Sequence, residues 1–192
     1  MEIKVDTLID LALIAANISP GLSRATGGDS RVLTIRERMR SMVEDAAEQV
    51  IREAALELLD EPATLTAEML TMDGDGTGHI SLPADFCRLL SLRLSDWQRR
   101  LTTLAEPDAS TLSGLASPWR CAMASPGRPL ALLVHGENGL TIETYGSADA
   151  NATLAEGLYV RLPLISETDT IRIPRRLLLT VAKRLNDTLS QR

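Results

Sequence analysis

Aromatic residues are scarce in this chain: they account for 3% of its 192 residues, and Phe86 is the single phenylalanine. A hydrophobic core must therefore be built mainly from Leu, Ile, Val, Ala and Met. The hydrophobic fraction of 44% still predicts a globular fold and excludes a wholly disordered chain.

Cysteine is also scarce. Cys87 and Cys121 stand far apart, with neither a C-x-x-C pair nor a histidine at metal-ligand spacing. This spacing excludes a disulfide framework and a structural zinc site of the usual kind, so we expect two reduced core residues. No metal ion and no cofactor is predicted.

Long apolar runs and an excess of positive charge are both missing. The apolar run 11–16 is too short to cross a bilayer, and the first ten residues lack the basic region of a signal peptide. The net charge of −6 and the pI near 5.0 exclude nucleic-acid binding over the whole surface. We expect a soluble protein that is made in a reducing cytoplasm and has no membrane partner.

Catalytic signatures are missing as well. His79 and His135, the two histidines, belong to no recognisable Ser or Cys motif, and no G-x-S-x-G sequence occurs. We expect both to be exposed loop residues. Gly74, Gly76 and Gly78 have the spacing G-x-G-x-G, but two aspartates in the same loop would repel a phosphate group. The sequence thus predicts no catalytic residues and no enzyme activity.

Helical periodicity is clearest towards the two ends of the chain. Apolar residues cover much of the circumference of segment 6–18, and a Gly- and Ser-rich loop is expected over 19–31. A second helix is predicted from a capping box, Thr34 with Glu37, to about residue 59, with Pro62 as its stop. A last helix is predicted from Pro174, which suits a first helical position.

The middle of the chain has the pattern of short strands. Strands are predicted over 65–72, 90–94 and 158–162, the last with Leu158 and Val160 in its apolar row. Asn138-Gly139 predicts a hairpin between 129–135 and 140–145, because a type I′ turn needs two positive φ values. Segments 105–128 and 146–156 are predicted to be long loops, which are often contact arms.

Helices followed by strands and then a helix indicate an α+β fold with a mostly antiparallel sheet. We predict one domain over residues 1–192. It would consist of a helical part (1–60), a β-rich part with long loops (61–165) and a C-terminal helix (173–190) that packs against the N-terminal helices.

Residues 72–86 resemble a calcium-binding loop at most of its positions. Asp73, Asp75 and Thr77 fill the ligand positions 1, 3 and 5 of an EF-hand loop, and Gly78 fills position 6, where the loop needs glycine. Ala84 stands where the bidentate glutamate belongs. A Gly-rich turn between two strands explains the same residues equally well, so calcium binding is kept only as an alternative.

Basic residues gather near the last helix. One interpretation is contact with DNA phosphates, and the other, which the net charge favours, is a solvated helix face. The residues concerned are Arg172, Arg175, Arg176, Lys183 and Arg184, with Arg99 and Arg100 elsewhere.

The run 78–97 contains one continuous pattern, GHISLPADFCRLLSLRL followed by a tryptophan. Pro83 ends a strand, Asp85 is expected to bond nearby backbone amides, and Phe86 enters the aliphatic core, which together make a rigid corner. The residues that define the pattern are Ile80, Leu82, Pro83, Asp85, Phe86, Arg88 and Trp97. In these residues the chain resembles the head-tail connector, or adaptor, proteins of tailed bacteriophages and prophages.

The resemblance implies a structural protein of the virion neck, made in the bacterial cytoplasm, that forms a ring between portal and tail. Its partners would be the portal protein, tail or neck proteins, other copies of itself and, through the arginines near the last helix, DNA in the channel. Two alternatives stay open: a calcium-modulated binding module that uses Asp73, Asp75 and Thr77, and a helical regulator that docks a partner on segment 34–59.

Overall fold

The computed structural model describes residues 1–16, 30–105, 107–108, 111, 123–136 and 139–190, and for residues 30–34 and 190 it describes the backbone only. The chain divides into two compact units. Unit 1 comprises Met1–Glu61 and Leu162–Arg192, and unit 2 comprises Pro62–Arg161. These boundaries lie close to the predicted limits of the β-rich part, 61–165, while the grouping of the whole chain as one domain stays a prediction.

The α+β prediction is confirmed, since helices and three antiparallel sheets are both present. In the described residues the helices are α1 (Val5–Ala15), α2 (Ser30–Glu53) and α3 (Leu178–Ser190). The strands are β1 (Glu2–Lys4), β2 (Ala63–Thr64), β3 (Leu70–Met72), β4 (Gly78–Ser81), β5 (Phe86–Leu94), β6 (Leu130–Gly136), β7 (Gly139–Tyr145), β8 (Leu154–Arg161) and β9 (Thr170–Arg172). Short 3₁₀ turns cover Leu56–Leu58, Ala67–Met69 and Arg175–Leu177.

The three described helices of unit 1 pack around an aliphatic core. α3 contacts both α1 and α2, so the predicted return of the C-terminal helix to the N-terminal helices is confirmed. β1 pairs antiparallel with β9 beside them. The fully buried large side chains of this unit include Leu8, Ile9, Leu13, Met39, Ile171, Ile173 and Leu185.

Ion pairs fix how α1 lies on α2. The guanidinium of Arg36 contacts Asp10 at 2.6 Å, and that of Arg40 contacts Asp6 at 3.3 Å. Because the residue numbers rise along one helix as they fall along the other, the two helices run antiparallel. Arg40 also pairs with Asp169, whose backbone has φ 57° and whose carbonyl accepts a hydrogen bond from the Val5 N–H.

The predicted limits of the second helix are wrong at both ends. α2 begins at Ser30, so Thr34 lies inside the helix rather than at its cap, and the expected loop 19–31 loses its last two residues. Val32 continues the three- and four-residue spacing of Ile35 and Met39, a signal that extends the helix beyond the capping box. At the other end α2 stops at Glu53, well before Pro62.

The chain that follows α2 is held by a tertiary contact. Residue Ala55 is extended, with ψ 148°, and the chain then forms the 3₁₀ turn Leu56–Leu58. The Arg176 guanidinium donates a hydrogen bond to the Glu57 carbonyl at 2.8 Å. That carbonyl is thus bound by α3's leading turn instead of by a continued helix, and no local sequence signal announces it.

Unit 2 contains two antiparallel sheets, with strand orders β2-β8-β5 and β3-β4-β7-β6. The predicted hairpin is confirmed as β6 and β7, in which Gly136 pairs with Gly139. Residues 137–138, including the Asn138 of the expected turn, lie outside the described residues, as do Cys121 and most of the predicted loop 105–128.

The prediction of one strand over 65–72 is wrong. Ala63–Thr64 pairs with β8 in the three-stranded sheet, whereas Leu70–Met72 pairs with β4 in the four-stranded sheet. The 3₁₀ turn Ala67–Met69 carries the chain from one sheet to the other. The segment must change sheets, and that requirement overrides its β propensity.

The alternation predicted for β5 and β8 holds only in part. Leu92 and Leu94 are buried as expected, but Ser91 is buried and Leu90 is half-buried. In β8, Tyr159 is buried while Leu158 is half-buried. The two strands pair with register shifts, one of them between Leu89 and Ser91, and a bulge of this kind rotates the side chains that follow it.

Candidate functional site

The residues of the 78–97 pattern form a corner between β4 and β5. Ile80 is fully buried in β4, between Leu70 and Ile142 of the neighbouring strands. The Leu82 N–H donates to the Leu140 carbonyl at 3.0 Å, which holds the chain to β7 for one residue beyond the end of β4.

Pro83 makes the turn itself. The Phe86 N–H donates to the Pro83 carbonyl at 3.0 Å, so the four residues 83–86 close a tight turn from which β5 starts. Proline suits the first residue after the strand because it supplies no N–H to a sheet.

Asp85 anchors the corner to β8, and not to nearby backbone amides as predicted. Its Oδ1 accepts a hydrogen bond from the Tyr159 hydroxyl at 3.0 Å, and its Oδ2 lies 3.4 Å from Nε of Arg161. Burial, followed by the hydrogen bond to Asp85, raises the pKa of Tyr159. The prediction failed because the partners are 74 residues or more away in sequence, beyond the reach of local turn rules.

Phe86 packs against the same tyrosine. The two rings stack with centroids 5.6 Å apart and an interplanar angle of 26°. Phe86 is 5% exposed, and it belongs to a core cluster with Leu89, Leu92 and Trp97. Tyr159 therefore holds the corner twice, by its ring against Phe86 and by its hydroxyl against Asp85.

Trp97 and its neighbours close the far end of β5. Trp97 is 3% exposed, and its backbone N–H donates to the Leu94 carbonyl at 3.1 Å. Asp96 Oδ2 accepts from the Ser147 hydroxyl at 2.9 Å and from the Ala148 N–H at 2.6 Å. Part of the predicted loop 146–156 is thus held against β5 by a carboxylate.

Arg88 occupies β5 opposite Val160 and is half-buried. It follows a register shift that separates it from Phe86. Its place is structural, within the pairing of β5 with β8.

The glycine-rich loop is a hairpin turn between β3 and β4. The Asp73 N–H donates to the Thr77 carbonyl at 2.8 Å, and Gly76 has φ 85°. The three side chains proposed as calcium ligands instead contact one another: the Thr77 hydroxyl lies 2.6 Å from Asp75 Oδ1 and 3.1 Å from Asp73 Oδ2. Hydrogen bonds from Thr77 lower the pKa of Asp75.

Neither histidine lies in a loop, which corrects the prediction. His79 is in β4, and its Nε2 lies 2.8 Å from Asp73 Oδ2. His135 is exposed in β6, next to the last residue of that strand. The described parts of the chain contain no group of three His, Cys, Asp or Glu side chains arranged to hold a metal ion.

Two of the five basic residues near α3 are committed to contacts within unit 1. Arg184 pairs with Glu53 at 2.7 Å, and Arg176 binds the Glu57 carbonyl. Arg172, Arg175 and Lys183 remain exposed. Arg99 and Arg100 are exposed in unit 2.

A groove of about 490 Å³ lies between the end of α2 and α3 within unit 1. Its lining includes Val50, Leu58 and Leu177, with Lys183 and Asp187 at its polar side. Leu56, in the 3₁₀ turn after α2, is 61% exposed, and Leu179, in α3, is 66% exposed.

Sequence reasoning missed the two residues that hold the corner from outside the pattern, Tyr159 and Arg161. It also missed Asp96, which holds the chain after β7 at the far end of β5. Tyr159 was placed on the exposed row of its strand, because a period of two gives no sign of the register shifts. The scarcity of aromatic residues was the available signal, since a tyrosine beside the single phenylalanine is a natural core partner.

No protein-family model matches the chain, and a comparison with curated proteins finds no significant match. Within the portion of the chain that the structure describes, no helix has both the length and the apolar character needed to cross a membrane.

Proposed function

We propose that this chain is a head-tail connector, a non-enzymatic component of a phage or prophage virion that forms a ring between portal and tail. The observation that carries the proposal is the corner between β4 and β5. Its residues match the connector pattern, and in the structure they serve packing and hydrogen bonding within unit 2.

A rigid corner supports a structural role more than a catalytic one. The side chains of Asp85 and Tyr159, the polar groups of the corner, bond each other and Arg161. A carboxylate used in this way fixes the direction of two strands, which a ring subunit needs in order to present the same surfaces to each neighbour.

The proposed partners are the portal protein, tail or neck proteins and further copies of the chain, in the neck of the virion. Contact with DNA in the channel is proposed for Arg172, Arg175 and Lys183, because Arg176 and Arg184 are held by unit 1 itself. Reversal of the three exposed charges should reduce DNA retention or delivery by assembled particles. Reversal of Arg99 and Arg100 is the control, and equal effects would refute this assignment.

The connector proposal is tested by the mass and shape of the assembled protein, measured by light scattering and negative-stain imaging in calcium and in chelator. Closed rings that are indifferent to calcium are expected. A mass or shape that changes with calcium would favour the calcium-modulated alternative. A calcium-indifferent monomer would remove that alternative, and the same measurement would then be made with portal rings added.

A further inference from the structure

The four-stranded sheet of unit 2 has β6 at one edge, and half of that edge has no partner among the described residues. Ala105 adds to its outer side: the Ala105 N–H donates to the Ala131 carbonyl at 2.9 Å, and the Leu133 N–H donates to the Ala105 carbonyl at 3.4 Å. Backbone N–H and C=O groups alternate in direction along an antiparallel strand. Those of His135 therefore point away from β7, as those of Ala131 and Leu133 do. Among the described residues, the Leu133 carbonyl and both backbone groups of His135 have no hydrogen-bond partner on this side.

The opposite edge of the same sheet is β3. The Asp73 N–H bonds the Thr77 carbonyl across the turn, so the backbone of Asp73 and Thr71 faces β4, and that of Leu70 and Met72 faces outward. The Leu70 N–H is bonded within the preceding 3₁₀ turn. The Leu70 carbonyl and both backbone groups of Met72 have no partner within the described part of the chain.

Several other sheet edges are protected in ways that proteins commonly use, and the edge strand β2 is only two residues long. The outer side of β9 is covered by Ser166, whose N–H bonds the Thr170 carbonyl, and that of β5 is bridged by Leu101. β1 carries the charged residues Glu2 and Lys4. By contrast, neither β3 nor β6 contains a Lys, Arg, Asp or Glu residue, the charged side chains that deter pairing with another chain.

The direction of the two open edges permits one to pair with the other. All neighbours in the sheet are antiparallel and the strands number four, so β3 and β6 run in opposite directions. A second copy rotated about an axis along the strands keeps those directions. Its β3 would therefore meet β6 of the first copy as an antiparallel neighbour.

We propose that β6 of one copy pairs with β3 of the next, with His135 opposite Met72. In this register the two residues exchange N–H and C=O hydrogen bonds, and Thr71 lies opposite Gly136 as the adjacent pair without hydrogen bonds. The contact is heterologous, using a different strand on each side, which is the kind of interface that closes rings. The inference rests on the ring of the proposed function and names the surfaces that join it.

Cysteine cross-linking tests the register directly. Thr71→Cys and Gly136→Cys are placed in separate chains, in a background with Cys121→Ser and the buried Cys87 retained. Thr71 is exposed, and a Cβ at Gly136 would lie 3.4 Å from its nearest neighbour, Thr141 Oγ1, so both positions accept the side chain. Residues in a pair without hydrogen bonds have Cα atoms about 4.5 Å apart, within reach of a disulfide.

After mild oxidation of the mixed proteins, the expected product is the disulfide between positions 71 and 136, with neither protein cross-linking alone. Homodimers of the Gly136→Cys chain would show two-fold pairing of β6 with itself and overturn the proposal. Absence of the 71–136 product at high protein concentration also overturns it. If rings form without this cross-link, the edge pairing is wrong and the connector function is unaffected. If the cross-link forms but the chains of subunits never close, the edge pairing is supported and the ring is not.

A proline substitution gives a second readout. His135→Pro removes an N–H that points away from the sheet and none that bonds β7. It should therefore abolish both the oligomer and the cross-link. Met72→Pro should do the same at the other edge. Lys4→Pro is the matched control. The backbone N–H of Lys4, in β1, also points away from the neighbouring strand, and its φ of −66° is one that proline adopts without strain. An oligomer that survives both edge prolines would refute the pairing.

Discussion

The two units of this protein are held by different kinds of interaction. Every aromatic residue of the sequence lies between residues 62 and 161, and unit 1 has none. Unit 1 contains six ion pairs between described residues, and Arg161–Asp85 is one in unit 2. One unit thus combines an aliphatic core with charged contacts between distant segments, and the other combines a ring stack with a carboxylate anchor.

The difference follows from what each unit must fix. Helices with an aliphatic stripe pack in several similar ways, and charged pairs such as Arg36–Asp10 select one alignment. Strands need a single register, since a slip of one residue exchanges the two faces of a strand. The stack of Phe86 on Tyr159 marks one register of β5 against β8, because a large flat ring fits one position only.

The largest expected effect is that of Phe86→Ala. The substitution removes a buried ring from the stack and from the core cluster, so unit 2 should lose about 3–5 kcal/mol of unfolding free energy. The measurement is urea denaturation followed by tryptophan fluorescence, which reports on unit 2 because both tryptophans lie between residues 62 and 161.

Met123→Ala provides the control for loss of an apolar side chain. Met123 is 46% exposed in unit 2, and its truncation should change stability by no more than about 0.5 kcal/mol. If Phe86→Ala were as mild as this control, the ring stack would not be what holds unit 2, and the comparison between the units would fail.

A substitution in the glycine-rich turn should have the next largest effect. Gly76 has φ 85°, and a Cβ there would collide with the carbonyl oxygen of Ser147. Gly76→Ala should therefore cost about 2–3 kcal/mol, from backbone strain of roughly 1–2 kcal/mol together with the displaced loop. Chemical denaturation of Gly76→Ala and of the unsubstituted protein measures this cost.

Gly74→Ala in the same turn is the matched variant. Its φ is not positive, and a Cβ would have no neighbour within 4 Å. Alanine should stabilise the protein there by about 0.4–1 kcal/mol, by restricting the unfolded chain. Equal effects at the two glycines would show that the turn does not hold the geometry described.

In unit 1 the corresponding test is the pair Arg36–Asp10. Its side chains are 15% and 29% exposed and 2.6 Å apart, whereas those of Arg52–Glu48 on α2 are 51% and 35% exposed. Double-mutant cycles with alanine should give a coupling of about 1–2 kcal/mol for the first pair and about 0.3–0.5 kcal/mol for the second. Added salt should weaken the second pair more, and the reverse order would contradict the role assigned to Arg36.

How much of this was predictable differs between the units as well. The helices of unit 1 follow from apolar spacing, although α2 starts and ends earlier than expected. Beyond its early end, the Arg176 guanidinium holds the Glu57 carbonyl, a contact between residues 119 positions apart that leaves no local sign. Periodicity predicts which segments are helical better than it predicts where they stop.

In unit 2 the hairpin of β6 and β7 was predictable from a turn dipeptide. The burial of Tyr159 in place of Leu158 was not, because it depends on register shifts between β5 and β8. The same holds for the candidate site: the pattern gave Pro83 and Phe86 their places in the corner, while the partners of Asp85 lie on a strand distant in sequence. Rules based on local sequence describe one strand at a time, whereas the corner depends on contacts between two strands.

The smallest expected effect is a loss of stability at alkaline pH. It should occur in unit 2, which contains both tyrosines. Burial, and then the hydrogen bond to Glu143, raise the pKa of Tyr145 from its ordinary value of 10.0 to about 12. A phenol whose pKa is higher in the folded state binds its proton more tightly there. Its contribution to stability is therefore complete below pH 10 and lost as the pH rises towards 12.

Ultraviolet absorbance of the tyrosinate measures this shift. In the folded protein Tyr145 should titrate near pH 12, and in denaturant near its ordinary value of 10.0. Glu143→Gln removes the charge and keeps the burial, so the pKa of Tyr145 should fall only part of the way, because burial is the larger cause. A complete return to the ordinary value in that variant would mean that Glu143 alone sets the pKa, and that charged contacts control this part of unit 2 as they do unit 1.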